Sequence, residues 1–387
     1  LCVCVRERQT HTYIHTWRME GDVECVIGTR SSVLARAQAT EFQEALRDAY
    51  PALSSSLCDI STEADTSHAE VPLRQLGGEG VFTKALEEAT LDGRVHLSVH
   101  SLKDVPTTLA PGLTLACVLP REDPSDVLLV PRSFFRNRST TTTGTTTSEL
   151  PLRLPPQGAV LTADQLSSLL PAGCVVGTSS VRRTAALQRS HPSLQCVGVR
   201  GNLQTRLRKV REGYQGLQAL VLAAAGMRRL GLLPCSTEEA EAEAEAEAED
   251  ALLWWRLFGG AHAVGQAAIG VLCRAQDQVW VDRLHAMCDQ QCWVQVLAER
   301  ALMRGLQGGC SVPIMVQHGP EEGVLCAQVY SPDGAQLVEA HIRVPEDPEG
   351  AEQAGLQLAQ DLLEAGAHPL LALAKHEFEG RVDSSQE

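Results

Sequence analysis

A β-branched run at 23–27 is followed by Gly28-Thr29-Arg30-Ser31-Ser32. Apolar positions then recur at Leu34, Ala35, Ala39, Phe42, Ala45 and Leu46, on one side of a helix. That order predicts strand, tight turn and N-capped helix, the α/β unit whose helix N-terminus favours an anion. The same pattern returns downstream. An apolar run at 174–177 leads through Thr178-Ser179-Ser180 into a predicted helix over 181–189. The run 195–199 leads into Gly201-Asn202 and a helix through Arg211, and the run 219–223 ends at Ala225-Gly226. Strands alternating with helices predict largely parallel sheets, with ligands gathered at the carboxyl ends of the strands.

After Gly265 the pattern changes. Helices are expected at 277–287 and 291–306, and Gly308-Gly309-Cys310 then breaks the chain. Segments 312–317, 324–330 and 336–344 alternate as antiparallel strands do, and a last helix is expected over 350–364. This is an α+β appendage, distinct from the α/β body.

A chain of 387 residues should form two or three domains. Its composition is that of a soluble globular protein, and no apolar run approaches the roughly 18 residues of a membrane span. Thirteen scattered cysteines with no CxxC pair fit reduced thiols better than a disulfide framework, which makes the cytoplasm the expected compartment. His285, Cys288 and Cys292, at i, i+3 and i+7, could share a helix face as metal ligands. Without a fourth ligand nearby, chance placement is the better reading and no metal is expected. Residues 1–18 show neither a signal core nor an amphipathic targeting pattern and are expected to be a disordered extension or a translation artefact. The Thr-rich 139–148 and the Glu-Ala-rich 238–250 look like low-complexity insertions. Residues 235–250 hold eight acids and no base, about half of the net charge of −15.

Against that acidity, Arg182 to Arg211 carry eight Lys or Arg and no Asp or Glu. Guanidinium forks suit carboxylates and phosphates. Arg182 and Arg183 fall in the first turn of a predicted helix, where the dipole disfavours cations, and a bound anion would resolve the conflict. Lys103 and Asp104 follow an apolar run and should sit at a strand's end. There the carboxylate could serve as acid, base or electrostatic partner, though spacing alone favours a plain surface ion pair. Cys310, flanked by Gly308-Gly309 and Ser311-Val312-Pro313, places a thiol in a loop rather than in a core helix.

These residues carry a resemblance. VIGTRSSVLARAQ at 26–38, GVFTKALEEA at 80–89, VHSLKDVPT at 99–107, VGTSSVRRTAALQR at 176–189, VRGNLQTRLRK at 199–209, AVGQAAIG at 263–270 and AERALMRGLQGGCSVP at 298–313 occur in that order. Together they resemble the porphobilinogen deaminase (hydroxymethylbilane synthase) family over 23–317, apart from the two insertions. The resemblance implies an α/β fold of two lobes like type-two periplasmic binding proteins, plus a smaller α+β C-terminal domain. The domains would be 19–121 with 265–288, then 122–264, then 289–387. It implies a dipyrromethane cofactor joined by a thioether to Cys310. Four porphobilinogen units would be added head to tail, each losing ammonia, before water releases linear hydroxymethylbilane, which passes to uroporphyrinogen-III synthase. Asp104 matches the family's catalytic aspartate. Arg30, Ser32, Gln38, Lys103, Ser179, Arg182, Arg183, Arg200, Gly201, Arg206, Arg228 and Gln266 match positions that hold the cofactor or the substrate carboxylates. A monomer is implied, with no membrane or nucleic-acid partner.

Some positions depart from the family pattern. Thr62-Glu63-Ala64-Asp65 replaces Thr-Thr-Gly-Asp, Gly265-Gln266-Ala267 replaces Gly-Gln-Gly, and Leu272 replaces a usual Glu. These bear on turnover and stability more than on the reaction. A solute-binding protein would share the cleft but gives no reason for Cys310 or for the lysine–aspartate pair. Nucleic-acid binding is disfavoured by the net charge and by aromatics of only 4%.

Overall fold

The computed structural model describes residues 24–61, 83–139, 154–233, 251–309, 312–319, 321 and 323–383. The expected extension at 1–18, the altered 62–65 segment, Cys310 and nearly all of both insertions lie outside the described residues.

The first sheet has the order β2-β1-β3-β10-β4. β1 (Cys25–Thr29) feeds α1 (Val33–Ala49) as the sequence predicts, and β2 (Ser55–Asp59) returns parallel beside it. α2 (Lys84–Leu91) precedes β3 (Leu97–Ser101), and β4 (Leu113–Val118) closes the edge. The chain then leaves for the second sheet, β7-β6-β8-β5-β9, entering it on β5 (Asp126–Pro131). There follow α3 (Arg132–Ser139), α4 (Ala163–Leu169), β6 (Val175–Gly177), α5 (Val181–Ser190), β7 (Gln195–Val197) and α6 (Leu203–Arg211). β8 (Ala219–Ala223), α7 (Ala224–Arg229) and β9 (Leu252–Arg256) complete that lobe. The chain returns to the first sheet on β10 (Ile269–Arg274).

Both lobes therefore have one topology, in which the fourth strand in spatial order arrives by a crossing. This is the architecture of type-two periplasmic binding proteins. The expectation of largely parallel sheets holds for four of the five strands in each, and the crossing strand is the exception. β10 runs antiparallel to β3 and β4, and β5 runs antiparallel to β8 and β9. A strand arriving directly from the neighbouring lobe enters from the opposite end of the sheet, with no helix to turn it round. β5 is buried at every position and β10 at all but its last, so neither shows the alternation that marks a half-exposed strand.

The third domain packs α9 (Gln290–Gly305) against α10 (Pro348–Leu362), both beside the antiparallel sheet β11 (Ile314–His318), β12 (Val324–Tyr330) and β13 (Leu337–Arg343). Gly355 makes the helix contact possible, since a Cβ there would lie 2.2 Å from the Ala298 carbonyl. The expected last helix is α10; α11 (His368–Asp383) follows it beyond Gly366, whose φ of 101° lies in the left-handed region.

The His285–Cys288–Cys292 face does not form. His285 lies in the last turn of α8 (Gln278–Met287), Cys288 caps that helix, and Cys292 opens α9. The chain turns between them, the Val118 amide donates to Cys288 Sγ at 3.3 Å, and the His285 ring meets Trp293 edge-on.

Candidate active site

The sequence places donors at the carboxyl ends of β1 and β3 through simple local rules. Ser32 caps α1, its Oγ accepting from the Ala35 amide at 3.3 Å, and the Thr29 hydroxyl donates to the Ala35 carbonyl. This fixes the turn that carries Arg30. One helical turn on, buried Gln38 accepts from Ser101 Oγ at 2.8 Å, tying α1 to the end of β3. Past Ser101 the chain tightens into a 3-10 turn over Leu102–Asp104. A cavity of about 80 Å³ opens there, lined by Arg30, Ser32, Gln38, Thr83, His100 and Asp104 among others.

Asp104 is exposed to this cavity, whereas Lys103 is half-buried and turns to Gln266 Oε1 at 3.5 Å rather than pairing with Asp104. The plain surface pair is therefore not what forms. Burial lowers the Lys103 pKa, with Asp104 acting in the opposite direction. Burial, and after it Arg30, pushes His100 down to about 4, so this histidine is neutral at pH 7. Its Nε2 is buried without a hydrogen-bond partner.

The arginine-rich end of the second lobe is organised by a residue that the sequence reading missed. Asp126, fully buried at the start of β5, takes Arg182 Nη1 at 2.7 Å and Arg183 Nη2 at 2.6 Å. Gln266 Nε2 donates to the same carboxylate at 2.9 Å and to the Pro124 carbonyl. Burial alone would raise the Asp126 pKa, but Arg182 and Arg183 outweigh it and hold it well below the carboxylate range. The anion that reconciles two arginines with the N-terminus of α5 is thus the protein's own. A lone acid heading the apolar run DVLLV was the available signal, because a charge entering a buried strand needs a partner.

The other expected residues divide by what already engages them. Arg206 is half-buried and donates from Nε to the Gly201 carbonyl at 2.8 Å, with Gly201 at a φ of 107° that favours glycine. Burial and, after it, Arg183 lower its pKa, while Asp104 acts in the opposite direction. Arg200 lies half-buried beyond β7, its carbonyl accepting from Lys209 Nζ. Ser179 is exposed and donates to the Val199 carbonyl at 2.9 Å. Arg228 is held by Glu122 at 2.9 Å and Asp123 at 3.3 Å, in the segment crossing between lobes. Its neighbour Arg229, not anticipated, bonds Glu41 of α1 and the Ala267 carbonyl.

Two family departures acquire physical content. Leu272 is fully buried and packs among Leu102, Val105, Leu115 and Trp293, so an apolar residue suits its surroundings. Ala267 has a φ of 72°, a conformation costly for any residue with a Cβ. Ala267→Gly is expected to stabilise the protein by about 0.5–1 kcal/mol in urea unfolding, the relief of strain exceeding glycine's added chain entropy. A destabilised variant would show the strain to be absorbed elsewhere.

Cys310 itself lies outside the described residues, but its flanks are held. The Gly308 amide donates to the Met303 carbonyl, and the Val312 amide to that of Gly309. The helix that leads to this loop is anchored beside Asp104, because Arg300 donates to the carbonyls of Val105 at 3.1 Å and Pro106 at 2.7 Å.

An exposed carboxylate in a cavity lined by Arg30, Ser32 and Gln38, with a second α/β lobe rich in arginine, defines the class: a two-lobed α/β protein. Comparison with known proteins is more specific. Residues 25–282 match the family model described as porphobilinogen deaminase, dipyromethane cofactor binding domain, and residues 293–364 match the porphobilinogen deaminase C-terminal domain. The porphobilinogen deaminase of Syntrophotalea carbinolica is 38% identical over 350 residues, covering 89% of this chain and 94% of that protein. That of Synechococcus elongatus is 38% identical over 348 residues, covering 89% and 93%. Among solved structures, the BenM effector-binding domain with benzoate covers 68% of this chain at 15% identity and a TM-score of 0.35. The chain belongs to the porphobilinogen deaminase family, transferases of tetrapyrrole biosynthesis that work with a dipyrromethane cofactor.

The residues present fit that group. Dipyrromethane carries acetate and propionate arms, and the crevice is lined by donors for them. Arg183 Nε and His100 Nε2 are buried without a protein partner.

Proposed function

We propose that Asp104 is the catalytic carboxylate and Cys310 the attachment point in a hydroxymethylbilane synthase that condenses four porphobilinogen molecules and releases the linear product. The observation that carries this reading is the exposed Asp104 after β3, in a cavity it shares with Arg30, Ser32 and Gln38, beside Lys103, whose partner Gln266 also bonds the carboxylate that anchors the arginine pair. Dipyrromethane, tethered through sulfur at Cys310, supplies the primer on which the chain grows. Asp104 stabilises positive charge on the pyrrole nitrogen of the incoming substrate and moves its proton. Arg30, Ser32, Lys103, Ser179, Arg200 and Arg206 bind the acetate and propionate arms. Arg182 and Arg183 add donors from a position fixed by Asp126, while Gln38, Gly201, Gln266 and Arg228 act chiefly by holding these groups in place. Neutral His100 offers a hydrogen bond without adding a charge.

The domains are taken as 19–121 with 265–288, 122–264, and 289–387. The protein is read as a cytoplasmic monomer; among the described residues no helix is long and apolar enough to cross a membrane. Intact mass spectrometry tests the assignment. Protein made with the precursor supplied should carry the extra mass of two linked pyrroles, and Cys310→Ser should lack it. An unmodified wild-type mass under those conditions would overturn the attachment.

A further inference from the structure

Away from the crevice, three potential ligands converge where the third domain meets the segment joining the lobes. His262, in that segment, is paired backbone to backbone with Val316 of β11, its amide donating to the Val316 carbonyl at 2.8 Å and its carbonyl accepting from the Val316 amide at 2.9 Å. His318 lies two residues further along β11, on the same face of the strand as Val316, so the two imidazoles are diagonal neighbours. Their rings stack at 6.3 Å and 28°. Glu299, fully buried on α9, completes the group, and the three ligand atoms lie within 4.8 Å of one another.

His262 is the telling member. It is 2% exposed, its Nδ1 is within 2.9 Å of the Gly260 carbonyl, and its Nε2 has no hydrogen-bond partner. A proton on Nδ1, donated to that carbonyl, leaves Nε2 as a lone pair facing Glu299 Oε1 at 3.8 Å. A carbonyl fixing the far nitrogen is how ligating histidines are ordinarily oriented. His318 Nε2 lies 2.8 Å from the same Oε1. Bonds of about 2.0–2.1 Å to a tetrahedral ion bring its ligands roughly 3.3 Å apart, so shifts below about 1 Å would close the site.

We infer that His262, Glu299 and His318 form a binding site for a divalent transition ion of the zinc class, with water in the fourth position. Two imidazoles and one carboxylate select such an ion over magnesium or calcium, which prefer all-oxygen shells. The Glu299 carboxylate also receives Arg121 at 2.5 and 3.0 Å and the Gly265 amide at 2.7 Å. Oε2 keeps the Gly265 amide and Arg121 Nη2, while Oε1 gives up Arg121 Nη1 and its direct contact with His318 Nε2 to take the ion. Arg121 repels that ion, so affinity should be on the order of micromolar rather than that of a structural zinc finger. On binding, the His318 proton moves to Nδ1. The partly exposed His318 gives the ion its way in. Because His262 belongs to the interlobe segment and the other two ligands to the third domain, the ion would pin that domain to the hinge.

The test uses full-length holoenzyme stripped with chelator and titrated with Co²⁺ alone. One equivalent should bind with the visible bands of a tetrahedral ion and no near-ultraviolet thiolate band. His318→Ala, at the rim, should lower affinity at least about tenfold and abolish those bands, with His262→Ala doing the same. Zn²⁺ should raise the melting temperature of wild type but not of His318→Ala. Absence of tetrahedral bands, a thiolate signature, or equal binding by wild type and His318→Ala would overturn the site. Should His262→Ala fail to fold, His318→Ala and His318→Gln decide the matter.

Discussion

Asp104→Asn is expected to fold, to carry its cofactor, and to lose about 10²–10⁴-fold in kcat, the range a positioned acid–base group contributes. The substitution keeps the size of the side chain and removes its charge and basicity. Asp104 is exposed at the turn after β3, so neither a buried network nor a packed neighbour depends on it. On the proposed mechanism, what is lost is the negative charge that stabilises the pyrrole nitrogen as it becomes cationic. With the substrate carboxylates assigned to the arginines in the proposed mechanism, porphobilinogen should still bind, and KM should change far less than kcat. Near-normal turnover in a stopped-time assay would remove Asp104 from the reaction.

Asp126→Ala is expected to cost about 3–5 kcal/mol, since it strands two buried guanidinium groups without their counter-ion. Loading with cofactor should fall as well, because Arg182 and Arg183 lose the contact that orients them. The pair has a pH signature. The folded Asp126 pKa is depressed below its unfolded value of about 3.9, so its contribution is complete above that pH. It is lost as the pH falls from there towards the folded pKa. Wild-type stability, followed by urea unfolding, should therefore decline on acidification below about pH 4 more steeply than that of the variant. A penalty under about 1 kcal/mol would mean that water or another acid can replace the carboxylate.

Much of the architecture was legible because its units announce themselves locally. The β1–α1 turn, the cap at Ser180 before α5 and the Gly201-Asn202 entry to α6 all combine a short apolar run with a residue that caps or turns. The alternation in β12 also showed directly, its inward Leu325, Ala327 and Val329 being buried. The returning strands β5 and β10 were not legible. Buried on both faces, they carry no period to read, and their partners lie far away in sequence. Within the site, Lys103, Asp104 and the arginines stood out as charges next to strand ends. Asp126 did not, because its meaning depends on arginines 56 and 57 residues downstream. The same distance hid the convergence of His262 and His318 on Glu299, while the helical spacing of His285, Cys288 and Cys292 suggested a cluster that the turn at Cys288 breaks.

The double crossing between lobes has a consequence for the newborn chain. β10 sits between β3 and β4, yet it is synthesised only after the whole second lobe. Until then the first lobe has a gap in its middle, with two unsatisfied strand edges exposed to any passing segment. A nascent polypeptide halted before residue 269 should therefore be sticky and readily digested, and its amino-terminal half should become resistant only once the last crossing has threaded home.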